Sequence, residues 1–545
     1  MMAAPQDPGG RFDPTAGRLT GVADPQLDPS ASYAIDQALV RRLLSRLRST
    51  SGESAMSYAP FTGQPLAAVP QSSVDDVADA AQQARTAQTS WAETPIEQRA
   101  EALLRLHDLV LDRQSDIMDL IQWESGKARK HAFEEVAHVA LTARYYARTG
   151  RRYLRAERRY GLFPVLTRAE INRVPKGLVG IISPWNYPFT MAVSDGLPAL
   201  MAGNTILHKP DSQTVLSALL GAELLEEAGF PADVWNVVSG PGAVAGPALI
   251  DEVDYVCFTG STATGRLVGR QAASRLIGCS LELGGKNPML VLADASIERA
   301  STGAVRACFS SAGQLCVAME RMYVADSIYD RFVQRFVERA RQLRLSASLS
   351  FEGDMGSLVS AAQLATVTRH VKDATEHGAT VLTGGRPRPD IGPLFYEPTV
   401  LADVTPEMMC FGDETFGPVV SVYPFHDEQE AVALANSGSY GLNASIFSRD
   451  VNRARALART IKAGTVNINE GYGATFGSID APMGGMRESG LGRRHAAEGI
   501  HRYTETQSVA AQRLVPIAPM LGMSDRRWAQ SMTVTLRTLR KTRRP

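Results

Sequence analysis

From Gly177 onward, short apolar runs rich in valine and isoleucine alternate with longer amphipathic stretches: LVGIIS at 178–183, TILHK at 205–209, VWNVV at 234–238 and DYVCF at 254–258. Runs of this kind have no polar face, so each strand is buried on both sides. Spacers of helical length between them make right-handed βαβ units and hence a parallel sheet. Such a sheet binds ligands beyond the carboxyl ends of its strands, which directs attention to the loops after these four runs. Ahead of them, apolar residues at three- and four-residue steps predict helices over 77–89, 96–124 and 133–154 that cover the sheet. A second alternating series follows Asn287, with strands near 289–292, 321–324 and 379–383 and helices near 297–309 and 329–343. The glycine-rich run APMGGMRESGLGRR at 481–494 interrupts it. The pattern predicts an α/β protein: two Rossmann-like parallel-sheet domains facing one cleft.

Composition narrows the class. The chain has 545 residues, 44% of them hydrophobic and 21% charged, which is ordinary globular material and excludes fibrous and wholly disordered classes. Residues 1–31 differ, with prolines, glycines and few large apolar side chains, as expected of a disordered leader. The 57 basic and 57 acidic residues cancel, which disfavours nucleic acid as a partner. No run reaches the ~18–20 apolar residues that would span a bilayer, and the amino terminus lacks the two regions of a secretory signal, so a soluble cytoplasmic protein is expected. The five cysteines show neither a metal-ligand spacing nor a paired pattern, and no metal is expected.

Cys257 and Cys279 fall in apolar strands and read as small core hydrophobes, whereas Cys316 lies in the loop GQLC at 313–316, where a thiol can be exposed. Glu282 closes a strand and precedes two glycines, which let backbone approach a ligand closely. Asn186 follows the first strand in the proline-flanked SPWNYP. Each has a bland alternative, as core thiol, solvated carboxylate or turn amide. Together they suit thiol chemistry on a carbonyl. Between Gly260 and Gly265 the spacing G-x-x-x-x-G opens a helix whose amino end, with Ser261, suits a pyrophosphate.

These motifs resemble the NAD(P)-dependent aldehyde dehydrogenases over about 35–508. The motifs are PWNYP at 184–188, Lys209-Pro210, FTGS at 258–261 with Gly265, ELGGK at 282–286, GQLC at 313–316 and ETFGP at 414–418. The resemblance implies the aldehyde dehydrogenase fold. Its cofactor-binding domain would take 32–161 and 176–288, its catalytic domain 289–480, and its oligomerisation arm and return 162–175 and 481–510, leaving a basic tail at 511–545. It also implies roles. Cys316 would be the nucleophile, made reactive by a pKa lowered to ~7 from ~8.5. Asn186 and the Cys316 N–H would hold the oxyanion, and Glu282 would be the base for thioester hydrolysis. Trp185, Asn186, Lys209, Ser212, Gly260, Ser261, Gly265, Leu283, Glu414 and Phe416 would bind the cofactor. Serine at 212, where NAD-preferring relatives commonly place glutamate, removes repulsion of a 2′-phosphate and favours NADP, with NAD as the alternative through Asp211.

The stretches KPDSQT, LIGCSLELGGKNPM and DIGPLFYEPTVL are most similar to bacterial NADP-type succinate-semialdehyde dehydrogenases of the second type. Two arginines expected for a distal carboxylate are replaced by Ser310 and Ser194, with Arg306 and Arg321 nearby in sequence. A broad aldehyde range is the alternative, with Tyr187, Phe189, Phe309 and Phe476 lining the tunnel. A homodimer or homotetramer built through the arm is expected. The segment 526–545, with seven basic residues and no acidic one, suits either a solvated tail or an anionic membrane surface, and a membrane scaffold with a vestigial site is the reading from another class.

Overall fold

The structure, a computed structural model, describes residues 36–163, 166–513, 516–520 and 522–540. The expected leader at 1–31 lies outside the described residues.

The four apolar runs form the parallel strands Leu178–Ile182, Thr205–Lys209, Trp235–Val237 and Tyr255–Thr259, joined by Gly278–Glu282. In space the order from one edge is Gly490–Leu491, Gly278–Glu282, Tyr255–Thr259, Leu178–Ile182, Thr205–Lys209, Trp235–Val237. Leu178–Ile182 thus starts the winding in one direction, and the chain later returns to its other side. The crevice between it and Tyr255–Thr259 is the switch point at which such sheets take ligands. The strand interiors are buried throughout, as the unbroken apolar runs require. The helices Val74–Glu93 and Arg129–Leu154 cover them. The predicted helix 96–124 is two, Ile96–Asp112 and Gln114–Ser125, because Arg113 leaves helical geometry; the buried residues keep their spacing across the break, so periodicity alone could not detect it.

The second sheet has seven strands in the order Thr380–Thr383, Thr399–Ala402, Val419–Phe425, Met319–Ala325, Asn287–Val291, Asn443–Phe447, Thr465–Ile468. All its pairings are parallel except the first. Four of these strands went unrecognised in the sequence, as did the hairpin Ser54–Tyr58 with Pro65–Pro70. A third sheet pairs Thr504–Gln512, Thr167–Pro175 and Glu157–Tyr160 antiparallel. The first sheet presents the carboxyl ends of its strands to the connections that enter Met319–Ala325 and Val419–Phe425 at their amino ends. Between them lies the cleft that carries the expected motifs.

Candidate active site

A cavity of about 290 Å3 opens at the switch point. Its walls include Trp185, Asn186, Glu282, Leu283, Cys316, Glu414 and Phe416. Residues from several distant chain segments meet there.

The Cys316 loop is built from strained backbone held by side chains. Ser311, Ala312 and Gly313 are consecutively left-handed, at φ 51°, 55° and 71°. At Gly313 a Cβ would stand 2.0 Å from the Gly417 carbonyl oxygen, so only glycine fits. The Ser311 N–H donates to His131 Nδ1 at 3.2 Å. Gln314 donates to the carbonyls of Ser311 and Ser357 and accepts from the Val359 N–H at 2.9 Å. Beyond the thiol, Asn287 Nδ2 donates to the carbonyls of Cys316 and Ala318, each at 2.7 Å, and Asn443 Nδ2 to that of Val317 at 2.9 Å. A Cβ on Gly285 would meet the Cys316 carbonyl oxygen at 2.8 Å, and one on Gly284 the Glu414 carboxylate at 2.3 Å. The two glycines after Glu282 therefore admit the catalytic loop on one side and Glu414 on the other.

The Asn186 loop rests on a buried ion pair. Lys127 Nζ lies 2.5 Å from Glu135, donates to the Asn186 carbonyl at 2.6 Å and stands 3.7 Å over the Tyr187 ring. Glu135 in turn accepts the N–H groups of Phe189 and Thr190, both at 2.9 Å. Satisfied on all sides, the pair fixes a loop that would otherwise be free to turn. The Asn186 amide reaches the Cys316 loop, donating to the Gln314 carbonyl at 3.0 Å. A second buried pair, Lys286 with Glu320 at 2.5 Å, receives the N–H groups of Thr415 and Phe416 and positions Glu414.

Electrostatically the cavity holds two carboxyls, one thiol and one guanidinium. Burial pushes Glu282 up to about 7, against the pull of Arg494, and pushes Glu414 up to about 8, with Glu320 adding to the effect. Arg494 is buried at 6% exposure; its Nη2 donates to Asp195 at 3.0 Å and to Thr259 at 3.2 Å. Its Nε faces Glu282 Oε1 at 4.0 Å, and neither atom has a hydrogen-bond partner. Arg502 holds the other Asp195 oxygen at 2.9 Å. Burial pushes the Asp195 carboxyl up, but the two arginines outweigh it and hold it below its ordinary range. The expectation of a thiol lowered to ~7 is corrected: burial, reinforced by Glu414 and Glu282 against Arg494, pushes Cys316 up to about 12. Cys316 therefore rests as a thiol, because it is buried beside two carboxyls.

On the cofactor side, Ser261 caps the helix Thr262–Ser274 beside Gly260 in the cavity wall. A Cβ at Gly265 would meet Leu283 Cδ2 at 2.4 Å, so this glycine permits close packing of helix on strand. The Leu283 N–H is spent on the Ser489 carbonyl at 3.0 Å, leaving its carbonyl as the backbone group for a ligand. Trp185 and Phe416 meet edge to face at 5.4 Å in the wall. Lys209 and Ser212 lie at the carboxyl end of Thr205–Lys209, outside that cavity. Lys209 donates to the Pro210 carbonyl, Ser212 to that of Gly240, and Asp211 caps its own turn through the Gln213 N–H. A helix amino end at the switch point, two aromatic rings and a glycine-backed carboxyl fit a dinucleotide running from the cavity toward Ser212.

Ser194 and Ser310 are both turned from the cavity: Ser194 bonds His138 Nδ1 at 3.1 Å, and Ser310 donates to the Arg306 carbonyl at 2.7 Å. Arg306 pairs with Glu134 and Glu470, and Arg321 donates into the Lys286 carbonyl and neighbouring carbonyls. Tyr187 and Phe476 line the cavity as expected, whereas Phe189 and Phe309 belong to the two cores. Sequence reasoning missed Lys127, Glu135, Asn287, Asn443 and Arg494. Only Asn287 and Arg494 stood close to a recognised motif.

The family model described as the aldehyde dehydrogenase family matches residues 47–509. A Mycolicibacterium smegmatis protein with the provisional name NADP+ succinate-semialdehyde dehydrogenase is 49% identical over 511 residues, 94% of this chain and 99% of that protein. The mitochondrial succinate-semialdehyde dehydrogenase of Oryza sativa is 35% identical over 84% of this chain and 86% of its own. Among solved structures, an E. coli NADP-dependent enzyme superposes with a TM-score of 0.82 at 34% identity, covering 86% of this chain and 96% of that one. Betaine aldehyde dehydrogenase from Staphylococcus aureus with NAD+ gives 0.81 at 30% identity, covering 88% and 97%.

Proposed function

This chain belongs to the aldehyde dehydrogenase family, and from that premise we propose that it oxidises succinate semialdehyde to succinate with NADP, using Cys316 as nucleophile. The observation that carries the reading is the convergence of Cys316, Asn186 and Glu282 on one cavity. The substrate and NADP are supported by the name of the relative at 49% identity and by serine at 212.

A thiol held at about 12 attacks a carbonyl only if its proton leaves as the bond forms, and Glu282, at about 7, is the acceptor in the same cavity. The tetrahedral oxyanion takes hydrogen bonds from the Asn186 amide, released from Gln314, and from the Cys316 N–H; one such donor is typically worth ~3–4 kcal/mol. A bound nicotinamide would supply the hydride acceptor, and loss of hydride from the adduct carbon leaves a thioester on Cys316. Glu282 first releases the thiol's proton to solvent and then takes a proton from the water that attacks the thioester; the C–S bond breaks, the acid leaves and Cys316 is reprotonated. In this reading Glu414, held by the Gly285 N–H, would take the nicotinamide ribose, and Lys209 and Ser212 the adenine ribose and its phosphate.

Because Glu282 works ionised, the rate rises with pH through about 7. The Arg494 charge favours the ionised form, so Arg494→Gln raises the base's pKa. At 4.0 Å the pair is worth up to ~4 kcal/mol at effective dielectric ~20, so the rising limb of kcat should move up by roughly one to three pH units. A pH–rate profile that stays in place would show that Arg494 serves folding alone.

A broad aldehyde range is the second reading, favoured by a specific observation. Tyr187, Met191, Leu315, Phe476 and Met483 make much of the wall apolar, and Arg494, already engaged by Asp195, is the only cationic side chain lining it among the described residues. Comparing kcat/KM for succinate semialdehyde and butanal decides between them. A preference of tenfold or more, roughly 1.4 kcal/mol, supports the first reading; parity supports the second.

The assignment of domains follows the sheets: cofactor on the six-stranded one, Cys316 on the seven-stranded one, and assembly into a homodimer or homotetramer through the three-stranded one. The exposed edges of Glu157–Tyr160 and Thr504–Gln512 support the assembly, and work in the cytoplasm completes the reading.

A further inference from the structure

The helix Asp525–Leu539 begins at a Ser524 cap, and none of its residues is buried. No described helix is long and apolar enough to cross a membrane. At 100° per residue, Trp528 and Met532, both half-exposed, and Leu536, exposed, fall within an arc of about 80° on one side. Arg526, Arg537 and Arg540 take the adjoining flank, and the sequence continues with Lys541, Arg543 and Arg544. From 525 to the end there are seven basic residues and one acidic, hence six net positive charges, in a chain with none overall. The rest of the molecule is correspondingly negative by six.

A partly exposed apolar stripe of this kind is buried best by a surface that does not repel the charge beside it. A second copy of the helix would bring like charges together, and the chain's own negative body leaves Leu536 exposed and Trp528 and Met532 only half-covered. An anionic bilayer surface answers both demands. The stripe enters the boundary between headgroups and acyl chains, Trp528 sits at headgroup depth, and the arginines beside the stripe reach back to the phosphates. Attraction to an anionic surface grows with each basic residue, and the negative body, repelled by the same surface, stays in the aqueous phase. We propose that the helix Asp525–Leu539 is an interfacial anchor that holds this enzyme reversibly on membranes rich in anionic lipid.

The test uses the full chain with vesicles of phosphatidylcholine containing phosphatidylglycerol, beside vesicles of phosphatidylcholine alone. The parent should sediment with the anionic vesicles, less so as salt is raised, and far less with the neutral ones. Two double variants of exposed or half-exposed positions, Met532→Glu with Leu536→Glu and Arg526→Glu with Arg527→Glu, should each lower partitioning by roughly ten-fold or more. Both should keep full dehydrogenase activity, since the helix lies outside the cavity wall. Failure of the parent to sediment overturns the proposal. So does equal sedimentation of parent and variants, equal binding to neutral vesicles, or a change in oligomer size in the variants without a change in vesicle binding.

Discussion

Cys316→Ala is expected to abolish dehydrogenase activity, by on the order of 10⁴-fold or more, while leaving NADP binding intact. No other group can take its place. The remaining cysteines lie in strands, a helix or another core, away from the cavity wall. Among the described residues lining the cavity Cys316 is the one thiol. Steady-state NADPH formation and a dinucleotide fluorescence titration measure the two halves of the expectation separately. Residual turnover above ~10⁻³ of the parent would mean that the reaction does not pass through this thiol.

Glu282→Gln should separate the chemistry into its two stages. The amide cannot accept a proton, so thioester hydrolysis should slow by 10²- to 10⁴-fold. Acylation also loses its nearest base, yet that step can recover part of its rate at high pH as the thiol ionises unaided toward about 12. Rapid mixing at alkaline pH should therefore give a single-turnover burst of NADPH with almost no steady-state rate, and mass spectrometry of the quenched enzyme should find the acyl group on Cys316. A variant that hydrolyses at the parent rate would remove Glu282 from the mechanism. The altered electrostatics should also be visible: loss of the carboxyl removes one of the two groups that raise the Cys316 pKa, so thiol alkylation should begin at lower pH than in the parent.

Much of this was legible beforehand. The unbroken apolar runs announced a doubly covered parallel sheet because such strands face no water, and the rule that ligands lie beyond their carboxyl ends placed Asn186, Gly260 and Glu282 correctly at the cleft. It does not extend to Cys316 and Glu414, which sit at the amino ends of the second sheet's strands and were found through their motifs. Four strands of that second sheet escaped notice because each of them, from Thr399–Ala402 to Thr465–Ile468, carries serine, threonine or asparagine among its apolar residues; Asn443 is one of those residues, buried to hold the Val317 carbonyl. Ser310 and Ser194, read as standing where distal-carboxylate arginines were expected, lie outside the cavity wall, and what each one bonds to could not be seen in the sequence.

The amino-acid sequence by itself determined the class of fold, the parallel strands of the first sheet, the family and the thiol, amide and carboxyl that meet at the cleft, because periodicity and motif spacing are local properties of a chain. Tertiary structure alone decided how those groups behave. The glycine-rich return brings Gly490–Leu491 alongside Gly278–Glu282 and sets Arg494 against Glu282, and the helix Arg129–Leu154 carries Glu135, paired with Lys127, under the Asn186 loop. A proton affinity is the sum of lost hydration and the fields of charges from remote segments, and neither exists until the chain has folded.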